Sequence, residues 1–239
     1  MDFYRYSEVL FSAYRKQTRI PDILRKKQEI QSTVYEIHNV QPTTILFIGF
    51  TPMMLTDYHK EISVAGVSDE IVKYLESMGK RVNVVDLSSC AAKHFDCVVA
   101  LDEYFTFALS DDEQYHLVEE CCRLSKGLII TTLRDHKNQD FKSREFSLPT
   151  ALVNSKETTI YLEYNDYSAR LKNAWTSRIY ELGSNMVCHS DFQRRPMFFK
   201  QLAKFTKDFG ALDFMIHKNV MYKSMIRKNY EHVISVNFQ

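Results

Sequence analysis

Three side chains able to take part in acid–base chemistry stand together at positions 102 to 104. Asp102, Glu103 and Tyr104 follow the apolar run FDCVVAL, which is typical of a buried strand. A carboxylate at the end of a strand could orient a hydroxyl or amine nucleophile or take its proton. The alternative is two solvated acids at a strand end. We predict that Asp102, Glu103 and Tyr104 are the catalytic residues.

Two further residues end apolar runs and could contact a ligand. Gly49 closes the run TTILFIG, and Asp86 closes RVNVVD. A glycine lets the backbone approach a ligand closely, although it also ends ordinary strands. Asp86 could instead be a turn or capping residue, and Asp69 is most simply an acid in the first turn of a helix.

Several kinds of site have no signature in this chain. His59, His94, His136 and His189 are scattered, without a second ligand at zinc-site spacing. The sequence has no G-x-S-x-G, P-loop or Cys-His motif. The five cysteines form no C-x-x-C pair, which fits a reducing, cytoplasmic setting. Because no apolar run approaches the roughly 18 residues of a membrane span, we expect no membrane partner.

Strands and helices alternate through the middle of the chain. Apolar, β-branched runs lie at 43–50, 61–68, 81–87, 95–105 and 127–135, and helical segments lie at 68–79 and 110–127. Ser68 and Ser110 suit N-caps, and Gly79 and Gly127 suit helix ends. This alternation predicts an α/β fold with a doubly wound, mostly parallel sheet and helices on both faces.

The flanks of this region have other patterns. Residues 2–16 and 21–37 read as N-terminal helices, and 158–183 reads as a β-hairpin insertion. A helix near 194–211, entered at Arg194-Arg195-Pro196, precedes an antiparallel C-terminal strand pair. We expect residues 1–42 to be an N-terminal helical segment and 43–239 to be one domain, with an insertion at about 136–190.

The order of these elements resembles that of class I (Rossmann-like) S-adenosylmethionine-dependent methyltransferases. The passages that carry the resemblance are ISVAGVSDEIVKYLESMGKRVNVVDL, FDCVVALDEYFTF and LSDDEQYHLVEECCRLSKGLIITT. The resemblance covers residues 43–135 and the order of the C-terminal elements. It implies S-adenosylmethionine as cofactor and methyl transfer to an O or N atom of a small-molecule acceptor. The turn DEYF lacks both prolines of the N-P-P-Y-like turn used for base N-methylation, which argues against that substrate.

The resemblance also implies a set of cofactor-binding residues. These are Gly49, Phe50 and Thr51 after the first strand, Ser68 and Asp69 after the second, and Asp86 and Leu87 after the third. The glycine motif is degenerate, because only the first glycine of G-x-G-x-G is kept. Ser68 stands where the family has its ribose carboxylate, with Asp69 one residue late. Either the chain binds the cofactor through a modified loop, or it is a catalytically degenerate binding or scaffold protein.

Charge and aromatic residues leave a nucleic-acid partner open. The formal net charge is +1. From Cys188 onward, however, nine Lys or Arg stand against four Asp or Glu. The hairpin region mixes aromatic and cationic side chains, namely Tyr161, Tyr164, Tyr167, Arg170, Lys172, Trp175, Arg178 and Tyr180. These could bind RNA, which would make the chain an RNA-directed methyltransferase, or form cross-strand pairs in a small sheet.

The N-terminal segment carries a separate expectation. In many class I methyltransferases, residues before the first strand fold over the cofactor crevice. Tyr4, Tyr6, Phe11 and Tyr14 could line a pocket there. We expect hydrogen exchange in residues 2–16 to slow when cofactor is added.

Overall fold

The computed structural model describes residues 2–17, 19–135, 144–146, 149–153, 158–167, 174–184, 186–224, 226 and 230–239. The helices are α1 (Asp2–Arg15), α2 (Ile20–His38), α3 (Asp69–Ser77), α4 (Asp111–Leu124) and α5 (Phe199–Asp208). The first five strands are β1 (Ile45–Ile48), β2 (Glu61–Ala65), β3 (Arg81–Val84), β4 (Phe95–Ala100) and β5 (Ser125–Leu133). Then come β6 (Arg144–Phe146), β7 (Thr150–Val153), β8 (Thr158–Asp166), β9 (Trp175–Leu182), β10 (Val187–Arg194), β11 (Asp213–Lys223) and β12 (Tyr230–Asn237).

A seven-stranded sheet forms the centre, in the order β11-β12-β5-β4-β1-β2-β3. β1 to β5 are parallel, and the antiparallel β12 lies between β5 and β11. β1 is buried along its whole length, as a strand covered by elements on both faces must be. The strand order reverses between β4 and β1, so a crevice is expected at the carboxyl ends of these strands. The predicted fold class is confirmed.

Local signals placed most helix ends correctly. Ser68 caps α3, and Ser110 caps α4 in a reciprocal capping box with Glu113. Gly79 follows α3 with a left-handed φ of 83°. The prediction that Gly127 ends α4 is wrong, because the helix stops at Leu124 and β5 begins at once. Gly127 lies inside β5, where a Cβ atom would crowd the Asp96 carbonyl oxygen.

β6 to β10 form a second, antiparallel sheet, and the insertion expected at about 136–190 stays a prediction. β8 and β9 are the expected hairpin strands, and residues 168–173 between them lie outside the described part of the chain. β10, β6 and β7 extend this hairpin to a five-stranded sheet. Arg194 was expected at a helix entry but ends β10 as a fully buried side chain. Within the described part of the chain, no helix is both long and apolar enough to cross a membrane.

Candidate functional site

The carboxyl edge of the central sheet carries two glycines with left-handed backbone. Gly49 follows β1 with φ 71°, and Gly66 follows β2 with φ 65°. Side chains are disfavoured at such φ values, so glycine is the residue that fits. β1 and β2 are neighbours, so the two glycines lie next to each other, beside the point where the strand order reverses. Neither glycine places a side chain in the crevice.

Helix α1 lies in this crevice. A Cβ atom built on Gly49 would overlap the Phe3 ring, and one built on Gly66 would overlap the Tyr4 ring. The Phe3 side chain is buried, with its ring centroid 4.8 Å from that of Tyr104. The first turn of α1 therefore seats one aromatic ring over each glycine.

Side chains of the next turn of α1 form hydrogen bonds with polar groups of the crevice. The Phe50 backbone N–H donates to Ser7 Oγ at 2.5 Å. Ser68 donates to the Glu8 carboxylate from its backbone N–H at 3.2 Å and from its Oγ at 3.1 Å. Glu8 thus supplies a carboxylate at the position where the sequence has Ser68 in place of an acid.

Predicted cofactor-binding residues line the same edge with local roles of their own. Thr51 Oγ1 accepts from the Met53 N–H at 3.3 Å, and Ser68 caps α3. Asp86 is exposed and accepts from Ser88 N at 3.0 Å and from Ser88 Oγ at 2.8 Å. Asp69, exposed, begins α3. Phe50 is buried and Leu87 is half-buried. Their binding of a cofactor stays a prediction.

The Tyr4 ring packs on Gly66, which follows β2. Burial raises the pKa of Tyr4, and the charges of Cys121 and Asp86 raise it further. Tyr4 is therefore influenced electrostatically by Asp86, the predicted cofactor-binding residue after β3.

The three catalytic candidates are all buried behind this crevice. Asp102 and Glu103 both have left-handed φ values, 57° and 58°, a strained arrangement for consecutive residues with side chains. The Glu103 carboxylate accepts from Arg134 Nε at 2.8 Å and lies 3.5 Å from Arg194 Nη1. Tyr104 packs against Phe3. The structure brings the three together, and their catalytic role stays a prediction.

Asp102 belongs to a buried polar group that sequence reasoning missed. Tyr222 donates its hydroxyl hydrogen to Asp102 Oδ2 at 2.6 Å. Lys27 Nζ lies 3.4 Å from the centroid of the Tyr222 ring and donates to the Lys223 carbonyl. Burial lowers the pKa of Lys27 to about 8, despite the nearby Asp102. Asp102 Oδ1 has no hydrogen-bond partner among the described residues. No local signal could have found this group, since Lys27 comes from α2, Asp102 from the segment after β4 and Tyr222 from β11.

The aromatic and cationic hairpin residues divide between the two faces of the second sheet. Tyr161 and Trp175 are buried. Arg178, on the other face, pairs with Asp191 on β10 at 2.5 Å. Arg170 and Lys172 lie outside the described residues. Cross-strand pairing therefore accounts for the described members, and nucleic-acid binding stays untested.

Two cavities open near the ends of the central strands. One of about 490 Å³ lies beside the first turn of α1 and is lined by Asp2, Phe107, Ala108, Leu109, Glu113, His116, Leu117 and Gln193. Another of about 520 Å³ lies at the opposite, amino-terminal edge, around Tyr35, Tyr58 and His59. Across the described ranges, no three or more His, Cys, Asp or Glu side chains are grouped as metal ligands would be.

Solved structures of methyltransferases have the same fold along nearly the whole chain. The SAM-bound amino pentose methyltransferase from Micromonospora echinaspora matches with a TM-score of 0.70 and 9% identity, over 97% of both chains. An S-adenosylmethionine-dependent methyltransferase from Clostridium acetobutylicum gives 0.65 and 13%, over 90% of this chain and 91% of that one. A sugar N-methyltransferase from Streptoalloteichus gives 0.64 and 12%, over 90% and 87%. No family model and no curated protein matches by sequence. The chain shares the fold of these enzymes.

Proposed function

We propose that this chain is an S-adenosylmethionine-dependent methyltransferase that acts on an N or O atom of a small-molecule acceptor. The observation that carries the proposal is the pair of left-handed glycines, Gly49 and Gly66, at adjacent strand ends beside the reversal of strand order. This is where a doubly wound sheet binds a nucleotide-like ligand. The full-length likeness in fold to methyltransferases supports it.

The crevice fits an adenosyl group on one condition. Both glycines leave space for a flat ligand, and the N–H groups of Phe50 and Ser68 and the carboxylate of Asp86 offer polar contacts. The rings of Phe3 and Tyr4 now occupy that space. The residues therefore fit the cofactor once the first turn of α1 has withdrawn and the Ser7 and Glu8 side chains have released these two N–H groups.

When bound, the cofactor supplies an electrophilic methyl group on a sulfonium. The chain then has to align the acceptor and take a proton from it where needed. Asp102 is the best placed of the predicted catalytic residues, because its Oδ1 is unpartnered among the described residues while Tyr222 holds its Oδ2. The Glu103 carboxylate already forms ion pairs with Arg134 and Arg194. We assign the proton-accepting role to Asp102, with Tyr222 as a positioning residue.

The acceptor is proposed to be a small molecule with an amine or hydroxyl group. The neighbours in fold include an amino pentose methyltransferase and a sugar N-methyltransferase. The cavity beside Phe107 is lined by both apolar and polar residues, and the acids Asp2 and Glu113 are among them, which suits an uncharged or cationic molecule of modest size.

The experiment is isothermal calorimetry with S-adenosylmethionine and S-adenosylhomocysteine, followed by transfer of a labelled methyl group to a panel of amino sugars and simple amines. We expect binding of both nucleosides and transfer to at least one amine. A folded protein that binds neither nucleoside up to millimolar concentration, including when Phe3 and Tyr4 are both replaced by alanine, would exclude this function.

A further inference from the structure

We infer that Phe3 and Tyr4 are internal competitors of the cofactor, so that ligand binding expels the first turn of α1 from the crevice. This inference rests on the proposed function, because it concerns the same crevice. It replaces the expectation drawn from the sequence, in which residues 2–16 close over bound cofactor and their hydrogen exchange slows. Here the protein's own rings take the ligand's place.

The first step of the argument is steric. Even one added carbon atom at Gly49 or Gly66 would overlap the Phe3 or Tyr4 ring. A ligand in van der Waals contact with this backbone would therefore occupy the same volume as these rings. Ring and nucleoside cannot be accommodated together.

The second step concerns polar groups. Ser7 and Glu8 already use the backbone N–H groups of Phe50 and Ser68. These two N–H groups are the donors to which a ligand bound over the glycines would hydrogen-bond. A ligand that takes either donor has to displace a side chain of α1 as well as the two rings. The helix thus occupies both the apolar and the polar contacts of the crevice.

The third step identifies which part of the helix can leave. Tyr6, Leu10, Phe11 and Tyr14 are fully or almost fully buried. Phe11 and Tyr14 pack on Phe50, with ring centroids 5.0 and 5.5 Å apart. Beyond them, Arg15 pairs with Glu70, and Lys16 pairs with Glu181. These contacts anchor the helix from Tyr6 onward.

The first turn is held less firmly. Phe3 is its one deeply buried side chain, and Tyr4 is 36% exposed. The first backbone N–H groups of a helix have no partner within the helix. Unwinding residues 2–4 would therefore break the backbone hydrogen bonds that their carbonyls accept from residues 6–8, and would remove the Phe3 ring from Tyr104 and Phe107. In the open state, residues 2–4 are unwound and the crevice is free. The apparent Kd of the ligand equals its Kd for this open state divided by the fraction of molecules that are open.

The test combines calorimetry and hydrogen exchange, with S-adenosylhomocysteine as the probe. Wild type is compared with Tyr4→Ala and Phe3→Ala. Tyr115→Ala is the matched control, because it removes a partly buried tyrosine that packs on Phe205 and Phe209, away from the crevice. We expect the two α1 variants to bind at least tenfold more tightly than wild type, and the control to bind as wild type does. In wild type, the amides of residues 6–8 should exchange faster when ligand is added, while those of residues 10–15 change little.

Two results would overturn the inference, and they differ in what they say of the proposed function. If all four proteins bind with equal affinity and exchange in residues 6–8 slows, the crevice binds nucleoside and α1 is an ordinary lid. If none of them binds although all are folded, there is no ligand for α1 to compete with, and the proposed function fails as well.

Discussion

Asp86 has a local structural role that leaves room for its predicted role in cofactor binding. Its side chain accepts hydrogen bonds from Ser88 and is exposed two residues after the end of β3. The capping contact occupies mainly Oδ1 at 3.0 Å from Ser88 N. A carboxylate oxygen has more than one lone pair, so this contact leaves acceptor capacity for a ligand.

Replacing Asp86 tests its predicted role in binding. We expect Asp86→Ala to weaken binding of S-adenosylhomocysteine about tenfold or more, because a hydrogen bond to a charged acceptor is worth about 1.5–3 kcal/mol. Calorimetry measures the affinity, and Asp112→Ala, an exposed acid in the first turn of α4, is the control. Unchanged affinity would mean that Asp86 is only a cap.

His59 is expected to make stability depend on acid pH. Burial and the nearby Lys80 lower the pKa of His59 to about 4. Between pH 6.5 and 4 the unfolded chain therefore binds more protons at this residue, and stability is lost as the pH falls through that window. We expect wild type to lose about 1–2 kcal/mol more than His59→Gln between pH 7 and pH 5.

Urea denaturation at each pH measures this difference. Glutamine stays neutral and keeps a group that can bond the Tyr35 hydroxyl, which lies 3.2 Å from His59 Nε2. The exposed His116 provides the control variant His116→Gln. Parallel stability curves for wild type and His59→Gln would contradict the assignment.

At the scale of elements, one ion-pair cluster joins the two sheets. Glu103 follows β4, Arg134 follows β5 and Arg194 ends β10 of the second sheet. The side chains of all three are almost fully buried. The Arg194 guanidinium also lies 4.1 Å from the centroid of Phe107 and 4.8 Å from that of Tyr6. The cluster therefore fixes the second sheet and α1 against the end of β4.

Removing the shared carboxylate should be costly. We expect Glu103→Ala to lower the free energy of unfolding by about 3–5 kcal/mol, because it removes a buried carboxylate that pairs with two buried arginines. Denaturant titration measures the loss, and Glu119→Ala, which breaks the exposed pair with His116, should cost less than about 1 kcal/mol. A loss below 1 kcal/mol for Glu103→Ala would show that water or other groups compensate the arginines.

At the scale of the whole molecule, ligand binding and folding are linked. A ligand that binds only the folded chain stabilises it by about 2.7 kcal/mol at a concentration 100 times its Kd. For a chain of 239 residues that corresponds to a rise in Tm of roughly 5–10 °C. We expect this rise with S-adenosylhomocysteine in a thermal melt, and a smaller one with adenosine as the control. A Tm that neither nucleoside changes would argue against binding of nucleosides in the crevice.

The sequence by itself determined the alternation of strands and helices, the caps at Ser68 and Ser110 and the antiparallel C-terminal pair. These features depend on neighbours a few residues apart, so the local pattern of apolar, capping and turn residues was enough. Gly49 was found for the same reason, because it ends an apolar run. Gly66 was missed, although it lies within the passage that carries the family resemblance.

Only the tertiary structure decided what fills the crevice. The contacts of Phe3 with Gly49 and of Tyr4 with Gly66 join residues far apart in the chain, and the bond from Tyr222 to Asp102 spans 120 positions. Arg194 became a buried ion-pair partner because β10 adds to the second sheet. Such contacts arise from how finished elements pack, and no spacing within one element encodes them. The sequence therefore indicated the fold, while packing placed the chain's own first helix in the crevice where we propose that the nucleoside binds.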